Sequence, residues 1–314
     1  MNQNKHYNTL TEYYKEIYPR KVAKIALNAN FTCPNKDGRK GYGGCSYCSK
    51  LGSGDTAGDV KLPLKKQYQQ IKEKISKKWP NPLCIPFLQA NSNTYAPIEN
   101  LKAIYEEIIN LDKENIVKFA IATRPDCFSE ELYSYLEEFN QRVPLSIELG
   151  LQTANEQTAK AINRCSSNQE FINCVQSLRK RKIEVVVHII NGLPGETKED
   201  MLATIDFINA LDIQGIKFHM LLILKDTPLY QQYLKKPFPL LSLEEYVTIV
   251  TEQIARLKPS MIVHRLGADG IPEDIYAPLW PMKKLVVMNE IDKRLRKENI
   301  FKEISLIYPA IITD

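Results

Sequence analysis

Short apolar runs along the chain alternate with segments whose apolar residues recur every three to four positions. Lys21 to Asn28 is the first apolar run and reads as a strand. Leu64, Tyr68, Ile71 and Ile75 then return at helical spacing, which predicts an amphipathic helix over Pro63 to Trp79. The same pattern predicts strands over Leu83 to Leu88, Ile116 to Ala122, Leu145 to Leu151, the β-branched Ile183 to Ile190, and Gly215 to Leu224. Helices are predicted between them: Ile98 to Leu111, Ser129 to Phe139 with Ser129 as N-cap, Glu156 to Asn163, Gln169 to Arg181, and Thr197 to Leu211. Thr197 with Asp200 has the form of a capping box. A helix over Leu243 to Leu257, a strand near Met261 to His264 and a basic helix over Lys283 to Glu298 complete the pattern.

Six strand–helix units of this kind imply an α/β fold with a parallel sheet. Six units are too few to close an eight-stranded barrel, so the expected form is a partial (β/α)6 barrel of TIM type, open at a wide mouth. Chemistry in such folds gathers at the C-terminal ends of the strands. The barrel is expected to span 1–224, with a loop at 28–58, and residues 225–314 to form an α/β extension packed on it.

Composition narrows the class. The chain has 314 residues, 44% of them hydrophobic and 25% charged, so a sizeable core can form and disorder is excluded as a general state. A net charge of +5 permits a polyanionic partner without requiring one. No run reaches the ~18 apolar residues of a membrane span. Met1 to Lys5 is polar, without the apolar centre of a signal peptide, so no membrane association and a cytoplasmic location are expected. In a reducing compartment the seven cysteines are thiols or ligands rather than disulfides.

Three of them stand out. Cys33, Cys45 and Cys48 fall in a Gly-rich loop directly after the first predicted strand, with eleven residues in the first gap and two in the second. Three thiolates can hold three irons of a 4Fe-4S cubane and leave the fourth iron open for a ligand such as S-adenosylmethionine (SAM). A structural zinc loop is an alternative, although zinc wants a fourth ligand and the only histidine before His188 is His6. Three ordinary thiols are another. Cys84, Cys127, Cys165 and Cys174 show no ligand spacing.

The long first gap and CxxC end resemble the radical SAM group typified by the bacterial YtqA and YhcC proteins, with Elp3-like enzymes as wider relatives. The resemblance continues through Gln89 to Tyr95, Thr123 to Asp126, Glu148 to Gln152, Ile162 to Arg164, His188 to Glu196, Lys217 to His219, Arg265-Leu266 and Ala277 to Trp280. It implies the partial barrel, a 4Fe-4S cluster on Cys33, Cys45 and Cys48, and SAM as second cofactor. SAM contacts are then expected from Gln89, Asn91 and Ser92 after the second strand, where Asn91 to Asn93 replace a more usual Gly-rich tripeptide. Glu148 is a carboxylate in an apolar strand and needs a partner, either a SAM hydroxyl or amino group or a basic side chain of the barrel. Gln152 lies four residues on. Arg164 matches the SAM carboxylate, or is a surface arginine. Gly192 and Pro194, in the turn after the fifth strand, are expected beside adenine, or form an ordinary turn.

Lys217 and His219 alternate in the sixth strand and face one side. With Arg124 and His188 they would line a substrate chamber, although a satisfied buried histidine is the commoner case. Arg124, Lys217 and His219 are therefore the candidate catalytic residues, with Arg265 as a third cation. The basic stretches 36–40, 65–78, 179–182 and 293–297, and Tyr42 and Tyr47, would suit a phosphate backbone and a stacked base; solvated faces are the default reading.

The Elp3-like resemblance implies tRNA wobble uridine as substrate. The chain stops at Asp314, so no acetyltransferase domain and no acetyl-CoA-dependent addition are expected. The YtqA-type resemblance implies an MnmL-like reaction, conversion of 5-carboxymethylaminomethyl-(2-thio)uridine to 5-aminomethyl-(2-thio)uridine by hydrogen abstraction. A flavodoxin or ferredoxin-type protein would be the electron donor. Competing readings are a radical SAM enzyme for a small molecule, such as a porphyrinogen-type decarboxylation, and a non-catalytic zinc-stabilised RNA-binding module.

Overall fold

The computed structural model describes residues 6–268 and 270–300. The expectations for Met1 to Lys5 and for 301–314 lie outside the described residues. The order begins α1 (Leu10–Ile17), β1 (Val22–Leu27), α2 (Leu64–Ser76), β2 (Leu83–Leu88), α3 (Ile98–Ile109), β3 (Phe119–Thr123), α4 (Glu130–Arg142) and β4 (Leu145–Gln152). It continues with α5 (Glu156–Ala161), α6 (Asn168–Lys180), β5 (Glu184–Asn191), α7 (Lys198–Asn209), β6 (Gly215–Met220), β7 (Ile223–Leu224) and α8 (Pro228–Lys235). It ends with α9 (Leu243–Arg256), β8 (Ile262–Leu266), β9 (Ile275–Ala277) and α10 (Lys284–Lys297).

Seven parallel strands form one sheet in the order β1-β2-β3-β4-β5-β6-β8, curled into a half-barrel. The seventh strand, β8, comes from the segment expected to be an extension, so the sheet does not stop at residue 224. The long strand expected over Gly215 to Leu224 is two strands, because β7 leaves the sheet and pairs antiparallel with β9. Two helices carried no expectation, α1 and α8. Among the described residues no helix is long and apolar enough to cross a membrane.

Capping fixes where the helices start. Ser129 accepts from the backbone N–H of Leu132, and Thr197 with Asp200, Ser167 with Glu170 and Ser242 with Glu245 form complete capping boxes. The largest apolar cluster joins the outer face of the sheet to the helices, through Tyr105, Phe119, Phe139, Phe171 and Phe218. A separate cluster packs Tyr13 and Tyr14 of α1 against Ile85 and Phe87 of β2, Ala120 of β3 and Ile262 of β8. Residues 8 and 9 also run along β8, where Asn8 C=O accepts from Val263 N–H at 2.8 Å. The first helix therefore closes the floor of the half-barrel, and the polar inner side chains lie above it.

Candidate active site

The cysteine loop leaves β1 and is tied down on two sides. Asn163, at the end of α5, donates to the carbonyls of Gly44 (2.7 Å) and Tyr42 (3.3 Å), and Ser46 N–H donates to Ile162 C=O at 2.9 Å. The fully buried Asn35 donates to Asn163 C=O at 2.6 Å and lies 3.6 Å from Cys45 Sγ. On the other side, Gly52 C=O accepts from Asn91 N–H at 2.8 Å. Gly52 has φ +71°, and a Cβ there would meet Asn91 Oδ1 at 2.1 Å, so only glycine fits this crossing.

Cys33, Cys45 and Cys48 face one cavity of ≈ 280 Å³ at the C-terminal strand ends. Burial first, then the neighbouring Cys48, pushes the Cys45 thiol up to about 12, against Arg124. Burial also raises Cys48, opposed by the Ser53 hydroxyl and Lys36. Thiols disfavoured as bare thiolates become ligands by exchanging a proton for a metal, whose charge replaces the missing solvent. The surroundings suit iron–sulfur ligation: N–H and O–H groups near two of the sulfurs, and three thiols with one open side. Among the described residues no group of three or more His, Cys, Asp or Glu is already gathered closely enough to hold a metal ion. Cys84, Cys127 and Cys174 are buried, and Cys165 donates to Asn163 Oδ1 at 3.2 Å.

Gln89, Asn91, Ser92, Glu148, Gln152 and Arg164 all border the same cavity. Asn91 Oδ1 is buried without a hydrogen-bond partner, and Ala90 and Asn91 take positive φ of +79° and +57°. A strained turn with an unsatisfied oxygen fits a polar ligand. Gln152 has φ +62°, and its side chain folds over Gly150, where a Cβ would meet Nε2 at 2.3 Å. Two expectations need correction. Arg164 is buried, and its guanidinium donates to the carbonyls of Leu151, Thr153 and Ser166 and to Asn168 and Glu156. Every N–H is engaged, so it clamps the end of β4 instead of offering a fork to a carboxylate. Gly192 and Pro194 do not border the cavity; Gly192 packs near Leu241, and Leu193 joins an apolar rim with Ile162, Leu221 and Leu229.

The inner wall carries the main electrostatic feature. Glu148 of β4 is fully buried and receives Lys24 of β1 on Oε1 and Lys217 of β6 on Oε2. His188 Nε2 of β5 lies 2.7 Å from Oε2. Burial would raise the Glu148 carboxyl, but Lys217, Lys24 and His188 together hold it well below the usual range. The basic side chain is therefore the partner that Glu148 takes. Lys217 is pushed down to about 7 by burial, Lys24 and Arg265, against the attraction of Glu148. Both ammonium groups also sit over the Phe87 ring, at 4.9 Å for Lys24 and 4.6 Å for Lys217.

His188 and His219 stack at 5.2 Å. Burial, with Lys217, lowers His188 to about 4, and burial with His188 and Arg265 holds His219 well below its ordinary value, so both rings are neutral. His219 Nε2 is buried without a partner. Arg265 pairs in register with Lys217 and borders the same cavity. Arg124 borders it too, but a bidentate pair with Asp126 (2.9 and 2.8 Å) and bonds to the carbonyls of Arg164 and Cys165 fix its guanidinium. Lys24 carried no expectation; a lysine inside the run Val22-Ala-Lys-Ile-Ala-Leu27 was the available signal. Tyr42 is 80% exposed at the loop, whereas Tyr47 packs on the apolar rim and is less suited to stack on a base. In the basic stretch at 36–40, Lys36 donates to the carbonyls of Ser49 and Lys50, and Lys40 pairs with Glu170 at 3.0 Å.

Comparison with known proteins decides the family. Residues 37–208 match the radical SAM superfamily, and residues 213–297 match the radical SAM C-terminal domain. The chain belongs to the radical SAM superfamily. The matched segment starts after Cys33. YtqA of Bacillus subtilis is 42% identical over 301 residues, covering 96% of this chain and 93% of that protein. YhcC of Escherichia coli K12 is 30% identical over 293 residues, covering 90% of each chain. Among solved structures, archaeal Methanocaldococcus infernus Elp3 with an N-terminal deletion aligns at TM-score 0.67 and 18% identity. That match covers 90% of this chain and 64% of Elp3, and it concerns the fold. Radical SAM proteins use a 4Fe-4S cluster with SAM, in agreement with the thiol loop and the polar cavity beside it.

Proposed function

We propose that this radical SAM enzyme acts on tRNA wobble uridine, converting 5-carboxymethylaminomethyl-(2-thio)uridine to 5-aminomethyl-(2-thio)uridine. One observation carries the reading: the buried Lys217 and the half-buried Lys24 share the single carboxylate of Glu148 on the wall of the cavity. A buried excess of positive charge is costly until an anion joins it. The carboxymethylamino side chain ends in a carboxylate of suitable size.

Cys33, Cys45 and Cys48 would hold the cluster, and Gln89, Asn91, Ser92 and Gln152 would face SAM. When bound, the pair supplies a one-electron route to a carbon radical that removes hydrogen, and an acceptor for one further electron. Lys217 and Arg265 bind the substrate carboxylate and orient the adjoining CH₂. A hydrogen atom and then an electron leave that CH₂, which becomes an imine. Water adds across the C=N bond, the C–N bond breaks, and aminomethyluridine and glyoxylate part. His219, neutral with an open Nε2, is placed to take a proton from that water. Arg124, fixed by Asp126, positions the loop at 164–165. A flavodoxin or ferredoxin-type donor is the partner this chemistry requires.

A partial relative supports the substrate class: the tRNA-2-methylthio-N(6)-dimethylallyladenosine synthase of Fusobacterium nucleatum is 24% identical over 172 residues, 53% of this chain and 38% of that protein. The deciding experiment is mass spectrometry of tRNA nucleosides from a deletion strain. Carboxymethylaminomethyluridine should accumulate, and unchanged wobble nucleosides would reject the assignment. Reconstituted protein should be brown and form 5′-deoxyadenosine under dithionite. Equal yield from Cys45→Ala would contradict the cluster assignment.

A further inference from the structure

The cysteine loop contains a buried polar side chain that is not itself a cluster ligand. Asn35 is fully buried, in the turn that opens at Cys33, where Lys36 N–H donates to Cys33 C=O at 2.8 Å. Its own backbone carbonyl accepts from the N–H of Gly44 at 2.7 Å, directly before Cys45. One residue therefore ties the turn at the first ligand cysteine to the approach to the second.

The direction of its amide is fixed by its neighbours. Nδ2 lies 2.6 Å from Asn163 C=O, a group that only accepts, so the nitrogen and not the oxygen faces it. An amide nitrogen carries two hydrogens. One goes to Asn163, and the other is directed at Cys45 Sγ, 3.6 Å away. Oδ1 is left buried without a partner, on the side where a Cβ at Gly41 would meet it at 2.2 Å. That unpaired oxygen destabilises the loop, and a side chain serving only to hold the turn has no need of it. The Tyr47 hydroxyl is bonded to the same sulfur, and Arg124 stands near it. Cys45 is thus the ligand on which polar donors converge.

We propose that Asn35 sets the reduction potential of the cluster through Cys45. Its N–H stabilises the sulfur more when the cluster is reduced, and carries more negative charge, than when it is oxidised. Burial strengthens the effect, because no water competes for the sulfur at that point. Asn35 is a positioning residue, aimed by Asn163 and acting through a ligand. The inference requires only the cluster and is independent of the wobble-uridine reading.

The test is a redox titration of the reconstituted holoenzyme without SAM, read by EPR of the reduced cluster. Asn35→Leu, close in volume and without a donor, should lower the midpoint by ~59 mV, a ~10-fold shift of a one-electron equilibrium. Asn163→Gly is the control for a loosened loop. It removes the side chain that holds Tyr42 and Gly44, keeps the carbonyl that aims Asn35, and suits the φ of +55° there. Its midpoint should stay near that of the parent while its melting temperature falls. A parental midpoint in Asn35→Leu, or an equal drop in Asn163→Gly, overturns the proposal. A second measurement needs no variant at position 35. In the parent holoenzyme, with asparagine labelled with ¹⁵N at the side-chain amide, pulsed EPR of the reduced cluster should show a weak ¹⁵N coupling. The coupling should persist in Asn91→Gln, which removes the label from the asparagine that borders the cavity. Its absence from the parent, or its loss in Asn91→Gln, overturns the proposal as well.

Discussion

Two charged layers cross the inside of the half-barrel, and they differ in balance. In the lower one Lys118, just before β3, meets Glu184 of β5 at 2.6 Å, one to one, with Tyr14 of the floor helix beneath the ammonium. In the upper one Lys24 and Lys217 share Glu148, with Arg265 adjoining. Desolvation penalises every unpaired charge in such an interior; the first arrangement is balanced one to one, whereas in the second two lysines share one carboxylate. The layer with two lysines to one carboxylate is the layer that borders the cavity.

The sharpest way to break this comparison is Lys217→Met. It removes surplus charge but leaves Glu148 with Lys24 and His188. Substrate conversion should fall by more than ~100-fold, while uncoupled 5′-deoxyadenosine formation continues and stability changes by only ~1 kcal/mol. Product at parental rates would mean that the upper layer is structural as well. Lys118→Met should do the reverse. Urea denaturation should show a loss of ~2–4 kcal/mol, with conversion per folded molecule unchanged. Similar stability losses in the two variants would erase the distinction.

A pH series sharpens it further. In the proposed reaction the substrate carboxylate is held by the Lys217 ammonium, which burial pushes down to about 7. The kcat/KM should therefore decline above about pH 7, by up to ~10-fold per unit, and the decline should vanish in Lys217→Arg, which stays charged. Stability runs the opposite way. A lysine lowered on folding binds fewer protons in the folded than in the unfolded state, so stability rises from about pH 7 toward the unfolded value of ~10.4.

The smallest effect is expected at Glu196, away from both layers. Burial raises its carboxyl to about 7, against the Thr153 hydroxyl, and Oε2 is buried without a partner. Its stabilising protonated form is complete below the unfolded value of ~4.3 and is lost as pH rises through about 7. Glu196→Gln keeps that form at every pH. It should raise stability by ~1 kcal/mol at pH 8 and leave it unchanged at pH 4, as measured by thermal unfolding.

Much of this arrangement was legible in the sequence. The strand Leu83–Leu88 was readable because an unbroken apolar run matches a strand buried on both faces, and the Thr197 box because its two side chains close locally. The thiol loop, Glu148, Lys217 and His219 were readable because such groups stand out in apolar or Gly-rich surroundings. The floor helix was not, although Leu10, Tyr13, Tyr14 and Ile17 share a face behind the Thr9 cap; eight residues form too short a period to separate from a loop. The strand continuing to Leu224 was misread because Met220 to Leu224 stays apolar while the chain leaves the sheet. Arg164 illustrates the deeper limit. Its type suits a ligand carboxylate, but the carbonyls that occupy it come from backbone groups that composition cannot place.

The floor helix also bears on how the molecule is made. Asn8 bonds to Pro259, 251 positions away, and its carbonyl receives Val263 of the last sheet strand. On the ribosome the first of these segments emerges long before the second. The underside of the growing sheet, with Ile85, Phe87 and Ala120, must wait for Ile262 to arrive before its apolar cluster is complete. Synthesis thus includes a long interval in which an apolar half-barrel has only part of its lining, and a chaperone that shields apolar surface has its natural window there.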